Sequence, residues 1–367
     1  MASAQRIAFG MLDQAPAEAI ELRAGPLFAR ILPLGATLQS LCVPDRDGNV
    51  ADIVLGFDDV QSYRDRPSWF GVTVGRYANR IAGGRFHLAG RDHVLETNDA
   101  PHHLHGGSDG FDQRLWDVAD VGSDAGAAWV CLTLVSPDGD AGYPGTLHAS
   151  ATYRLTADAL TIDYAATSDA PTIVNLTNHA FFDLGETGDA LRHLLMIEAD
   201  TFLPVDATSI PTGERRAVAD TPFDFREPRR IGERVRDGRD DQIAIGRGYD
   251  HNFIVRGETG VLRPAATLAD PGSGRTMTLS ITAPGLQFYS GNFLAAAEPG
   301  KGGRLYRQGD GICLEPQIFP DTPNRPDFPS ARLDPGETWR STMRFAFATG
   351  QLCRNASYVP AANHNVA

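Results

Sequence analysis

The chain has 367 residues, 42% hydrophobic and 22% charged, a globular composition with ample material for a core. Its formal net charge of −13 repels phosphate backbones and anionic lipid, which argues against nucleic-acid and membrane-surface partners. No apolar run reaches the ~18 residues of a membrane span, and Met1 to Arg6 lead into no apolar segment, so no secretory leader is expected and the expected location is the cytoplasm.

Composition also bears on cofactors. Lys301 is the only lysine and sits in Gly300-Lys301-Gly302-Gly303. It reads as a loop tip, whereas a Schiff-base lysine is desolvated. G-x-G-x-x-G and G-K-[ST] phosphate cradles are missing from the sequence, so neither PLP nor a cradled nucleotide is expected. Cys42, Cys131, Cys313 and Cys353 are far apart with no C-x-x-C. They read as buried thiols in a reducing compartment, not as a zinc site or a disulfide framework.

In chain order, a short helix is expected over Asp59 to Arg64. Gly71 to Ile81 then sets Arg76, Asn79 and Arg80 among apolar residues; Arg76 reads as a structural hub, while Asn79 and Arg80 lie nearer a glycine turn and can reach a ligand. In Pro101-His102-His103-Leu104-His105-Gly106-Gly107, His103 and His105 would point the same way on a strand. They have no evident third ligand, so no metal is expected. His105 precedes a flexible Gly-Gly turn, and at least one of His102 and His103 is expected at the surface. The following Gly106-Gly107-Ser108-Asp109-Gly110 matches G-x-S-x-G in form but lacks the strand-to-helix context of a nucleophile elbow.

Alternation with a period of two follows. Leu147, Ala149, Ala151 and Tyr153, then Leu160, Ile162, Tyr164 and Ala166, and later Met277, Leu279 and Ile281 alternate with mostly polar residues, as in half-buried antiparallel strands. Thr172 to Phe182 reads as one buried strand with Val174, Leu176, Ala180 and Phe182 on one face and Asn175, Thr177 and His179 on the other. A second short helix is expected over Arg226 to Val235. Asp250 and Asn252 share a strand face, as do Gln287 and Tyr289. In Ile312 to Phe319, Glu315 and Gln317 share a face with Cys313, and Pro316 marks an edge or bulge. Carboxylates, amides and aromatic rings together suit a polyhydroxylated ligand. Short strands with frequent turns and few helices imply an all-β fold, a sandwich or a barrel, in a single domain over 1–367, with a loose polar tail from about Ala361.

Taken together, these segments resemble the aldose 1-epimerases, or galactose mutarotases. The matching stretches are GRYANRIAGGRF (75–86), HLHGGSDGFDQRLW (103–116), SPDGDAGYPG (136–145), NLTNHAFFDL (175–184), LPVDATSIPTGE (203–214), GYDHNF (248–253), GLQFYSGNF (285–293) and CLEPQIFPDTPN (313–324). They keep the family's order across nearly the whole chain. The resemblance implies the family's β-supersandwich, a cofactor-independent isomerase, and a monosaccharide as partner. It implies Glu315 as general base, His179 as general acid and His105 as a helper at the ring oxygen or C1 hydroxyl. Asn79, Arg80, Asp250 and Gln287 are implied as sugar contacts. Ala180-Phe181 departs from the family's usual Ser-Tyr and forfeits any hydroxyl contact there. A neighbouring Glu315 carboxylate is expected to keep His179 protonated near neutral pH. Three other readings remain open: a sugar-phosphate epimerase, a non-catalytic sugar-binding protein, and a glycoside hydrolase using Asp250 and Glu315.

Overall fold

The computed structural model describes residues 1–66, 68–185, 188–351 and 359–360. The loose tail expected from Ala361, and Cys353, lie outside the described residues. Strands dominate and assemble into three large antiparallel sheets. The N-terminal sheet has five strands, Ser3–Leu12, Ala15–Ala24, Leu27–Leu32, Thr37–Pro44 and Val50–Asp52, paired in chain order. A ten-stranded sheet is built around Ala127–Ser136, Leu147–Thr156, Ala159–Ser168, Trp339–Gln351 and Arg275–Ile281. A six-stranded sheet runs Phe181–Phe182, Ile312–Gln317, Gly285–Tyr289, Asp250–Val255, Ala199–Leu203 and Arg216–Ala217.

Alternation explains how the sheets stack. Leu147, Ala149, Ala151, Tyr153 and Leu155 are buried while His148 and Arg154 are exposed. Met277, Leu279 and Ile281 are buried beside half-buried Thr278 and Ser280. The inward faces of all three sheets meet in one apolar core, with Ile20, Leu22 and Ile31 from the first, Tyr153, Ile162 and Phe345 from the second, and Phe253, Leu286 and Leu314 from the third. Each large apolar side chain fully buried there contributes roughly 1.5–3 kcal/mol. The antiparallel strands expected from the alternation, and the large sandwich that the resemblance implies, are the observed architecture.

Three local expectations fail. Thr172 to Phe182 is not one strand. Thr172–Ile173 pairs with Arg332–Leu333, Thr177–Asn178 with Thr73–Val74, and Phe181–Phe182 with Ile312 and Cys313. Polar side chains on both faces fasten the breaks to backbone: Asn175 Nδ2 donates to Ala78 O and Asn178 Nδ2 to Gly71 O. The helix at Val60–Asp65, capped by Asp59, is as expected, but Arg226 to Val235 holds only a two-residue strand and a 3₁₀ turn. Pro228 disfavours helical geometry at the residue before it, and Gly232 lowers propensity further. The helix lies later, at Asp241–Gly246, where Asp240 accepts from the amides of Gln242 and Ile243.

Lys301 is the third correction. Its ammonium is not at an exposed tip. Nζ donates to Asp52 Oδ2 at 2.8 Å and to Val54 O at 2.9 Å. This pins the hairpin Ala295–Pro299 and Leu305–Arg307 against the N-terminal sheet. Ala295, Ala296 and Ala297 of that hairpin line the main cleft.

Candidate active site

The cleft opens over the outer face of the six-stranded sheet and holds about 480 Å³, a volume suited to a small ligand. Register brings its floor together. Asp250, Tyr289, Cys313 and Phe181 form one cross-strand row, and Asn252, Gln287 and Glu315 form the next. Side chains two apart on a strand leave the same face, so Asp250, Gln287, Tyr289 and Glu315 all rise into one space. Pro316 pairs only with Leu286; the neighbour on the other side, Phe181–Phe182, covers Ile312 and Cys313 and stops short of it. The strand is thus an edge locally, where a missing N–H costs nothing.

The rest of the cleft comes from loops. All seven residues singled out from the sequence, Asn79, Arg80, His105, His179, Asp250, Gln287 and Glu315, line it. Asn79 and His105 are zipped together: His105 N donates to Asn79 O, and Asn79 N donates to His105 Nδ1 at 3.1 Å. Both have positive φ, 67° and 53°, strained geometry of the kind found at ligand clamps. Next to them Gly106 is required, because a Cβ there would lie 1.7 Å from Gly75 O. Asp250 Oδ1 accepts from Gln287 Nε2 at 2.7 Å. Gln287 Oε1 in turn accepts from Gln317 Nε2, which also reaches Asn252 Oδ1, so a chain of amides fixes the floor from below.

His179 Nε2 faces Glu315 Oε1 at 3.7 Å. That gap is too long for a hydrogen bond, and Glu315 Oε2 is buried without a partner. Burial moves both groups toward neutrality. His179 is pushed down to about 4. Burial and the charge of Asp250 drive Glu315 well above the usual carboxylate range. The expectation that Glu315 keeps the imidazole protonated near neutral pH is therefore overturned, because burial dominates at His179 and also pushes the neighbouring carboxyl toward its neutral form. His105 is also held well below the ordinary histidine value, first by burial and then by His179, and burial raises Asp250.

The other histidines fall elsewhere. His103 is buried, bonded at Nδ1 to Glu96 O and at Nε2 to Tyr143 Oη. His102 is buried too and accepts from Gly83 N, so neither is at the surface. Ser108 Oγ donates to Glu96, away from the cleft. Arg76 is the expected structural hub, donating to carbonyls of Ser136, Pro137, Pro144 and Gly145. Asn175 and Thr177, expected beside His179, do not line the cleft. Among the lining residues not singled out from the sequence, three bear on the site. Trp69 packs its ring 5.3 Å from His105 and 6.2 Å from His179. Asp99 accepts from Arg80 Nε at 2.8 Å. Phe293 is exposed at the mouth and stacks on Tyr289. A large aromatic next to a small polar residue in a turn-rich stretch, as at Ser68-Trp69 and Asn292-Phe293, was the available signal. Phe181 presents a bare ring to the cleft, 5.1 Å from His179.

His105, His179 and Glu315 each bring a donor atom within 4.8 Å of the others, a grouping that resembles a metal triad. The tautomer of His105 argues against a cation. A backbone N–H occupies its Nδ1, so Nε2 of the neutral ring carries hydrogen and offers no lone pair. The trio suits proton traffic and hydrogen bonding to hydroxyls.

Comparison with known proteins agrees with this chemistry. The family model described as aldose 1-epimerase matches residues 18–346. A galactose mutarotase of Bos taurus is 41% identical over 352 residues, 95% of this chain and 99% of that protein. An aldose 1-epimerase of Escherichia coli K12 is 39% identical over 321 residues, 86% of this chain and 91% of that one. The crystal structure of galactose 1-epimerase from Lactobacillus acidophilus superposes with a TM-score of 0.84 at 31% identity, covering 96% of this chain and all of that one. These matches make the protein an enzyme of the isomerase class. The chain belongs to the aldose 1-epimerase family.

Proposed function

We propose that the protein interconverts the α and β anomers of a free aldose such as glucose or galactose, as a cytoplasmic, cofactor-independent enzyme acting as one domain. From the form of the pair in which its one proton sits on the imidazole, Glu315 takes the proton of the C1 hydroxyl while His179 delivers one to the ring oxygen, and the C1–ring oxygen bond breaks to leave an open-chain aldehyde. Rotation about C1–C2 presents the other carbonyl face. The ring hydroxyl then attacks it, returning its proton to His179 as Glu315 returns one to the new C1 hydroxyl. His105 Nε2–H donates a hydrogen bond to the sugar beside these groups. Asn79, Arg80, Asp250 and Gln287 hold the remaining hydroxyls.

The observation that carries this reading is the buried, unbonded facing of His179 and Glu315. Neither satisfies the other, so both are free to address a substrate, and preorganised groups in a dry cleft act strongly. Among the described residues Arg80 is the one cation lining the cleft, and Asp99 already pairs with it, which disfavours a phosphate dianion and hence the sugar-phosphate reading. No helix among the described residues is long and apolar enough to cross a membrane.

Polarimetry on freshly dissolved α-D-glucose and α-D-galactose tests the proposal. Added protein should speed the approach to equilibrium in proportion to its concentration. An unchanged rate with bound sugar would leave a binding protein, and release of nitrophenol from a nitrophenyl glycoside would identify a hydrolase.

A further inference from the structure

One strand reaches His179 at both ring nitrogens. Cys313 Sγ lies 3.6 Å from Nδ1 and Glu315 Oε1 lies 3.7 Å from Nε2. Cys313 and Glu315 are two apart on Ile312–Gln317, so their side chains leave the same face about 7 Å apart. An imidazole fills that span with a contact at each end. Two other buried imidazoles, His105 at the cleft and His251 in the core behind it, are held differently. His105 Nδ1 receives the amide of Asn79, and His251 Nδ1 receives the amide of Asp250. A backbone N–H can only donate, so both of those neutral rings carry their proton on Nε2. At His179 Nδ1 the partner is a thiol, whose sulfur lone pairs can accept.

A ring that surrenders its Nε2 proton to a sugar must keep the one on Nδ1, and that proton needs an acceptor. We propose that Cys313 is a positioning residue whose sulfur accepts the Nδ1–H of His179, holding the tautomer in which Nε2 alone gains and loses the proton exchanged with the sugar. Sulfur is a weak acceptor. It orients the ring without stabilising the imidazolium as a carboxylate would, and so leaves the protonated ring a strong acid. Cys313 sits between Phe181 and Tyr289 in the strand register and is fully buried. Burial holds its thiol well above the usual range, so the sulfur stays uncharged. The inference rests on the reading of His179 as proton donor.

The experiment is ¹⁵N–¹H correlation spectroscopy on histidine-labelled protein, with ring signals assigned through His105→Asn, His179→Asn and His251→Asn, alongside kinetics. His179 should show the Nδ1–H tautomer, and His105 and His251 the Nε2–H tautomer. Cys313→Ala should mix the tautomers of His179 and lower kcat about ten-fold at unchanged KM, a fraction of the ~10²–10⁴-fold that a general acid supplies. Cys313→Ser, which retains an acceptor, should restore both. A wild-type His179 in the Nε2–H tautomer, or a Cys313→Ala enzyme with wild-type kcat, overturns the proposal. If Cys313→Ala does not fold, the wild-type spectrum and the serine variant still decide it. An active His179→Asn enzyme would instead overturn the proton-donor reading, and turnover without the imidazole identifies that failure separately.

Discussion

His179 and Glu315 face each other across 3.7 Å with side chains only 7% and 3% exposed, and together they hold one mobile proton. Burial lowers His179 to about 4 and raises Glu315. Below the first value the pair carries two protons; above the second it carries none. Only the singly protonated pair has one group ready to give and one ready to take, whichever of the two holds the proton. The pH profile of kcat/KM should therefore be bell-shaped, with its acid limb near pH 4 from uptake of a second proton and its basic limb from loss of the last. These limbs belong to the pair. An acid limb near pH 6.5, the ordinary histidine value, would show that the cleft does not desolvate His179.

Glu315→Gln keeps the size of the side chain but cannot accept the C1 proton. Turnover should fall ~10²–10⁴-fold while sugar binding, followed by calorimetry, persists. With only His179 of the pair left to titrate, the bell should reduce to a single limb in any residual activity. Near-normal kcat would remove Glu315 from the chemistry.

Asp250 and Gln287, proposed to hold the sugar, are bonded to each other. Asp250→Asn and Gln287→Ala should raise KM more than they lower kcat, if their contacts persist unchanged through the reaction. The reverse split would make Asp250 a participant in proton transfer and revive the two-carboxylate hydrolase reading.

The strands of the sandwich were readable because alternation at Leu147 to Tyr153 or Met277 to Ile281 has a direct physical cause: one face meets the core. The cleft floor was readable for the same reason, since Glu315, Gln287 and Asp250 break apolar runs where a buried polar group needs a partner or a ligand. What pattern could not reveal was pairing. The run from Thr172 to Phe182 divides among three partner strands that are distant in sequence, and propensity carries no information about them. Desolvation was equally hidden. The charge argument for a protonated His179 was sound pairwise, but the depth at which the pair sits reverses it. Asp99 escaped notice because its role lies in one contact, to Arg80.

That contact gives a prediction of its own. Arg80 Nε is held by Asp99 Oδ2, which orients the guanidinium and cancels part of its charge. Asp99→Asn should free the guanidinium. KM for the neutral aldose should rise several-fold, while glucose 6-phosphate, expected to bind poorly to the wild type, should become a measurable competitive inhibitor. Equal inhibition of wild type and variant by the phosphate would mean that Asp99 plays no part in excluding anions.

Lys301 links the N-terminal sheet to the wall of the cleft, so its loss should be felt in both places. Its ammonium donates to Asp52 Oδ2 and Val54 O, while its backbone amide donates to Gly56 O. Lys301→Met keeps the aliphatic stem and removes the charged head. Asp52 retains Ser40 Oγ and the Leu41 amide as donors, so the carboxylate is not orphaned, but a hydrogen bond to a charged group is lost, worth about 1.5–3 kcal/mol. Urea unfolding should show a lower midpoint at unchanged slope. The hairpin bearing Ala295 to Ala297 should loosen over the cleft and raise KM, with the pH limbs unmoved because Lys301 does not line the cleft. A variant that loses stability with unchanged KM would confine Lys301 to the scaffold. One that shifts the pH profile would mean that its charge is felt at the His179–Glu315 pair.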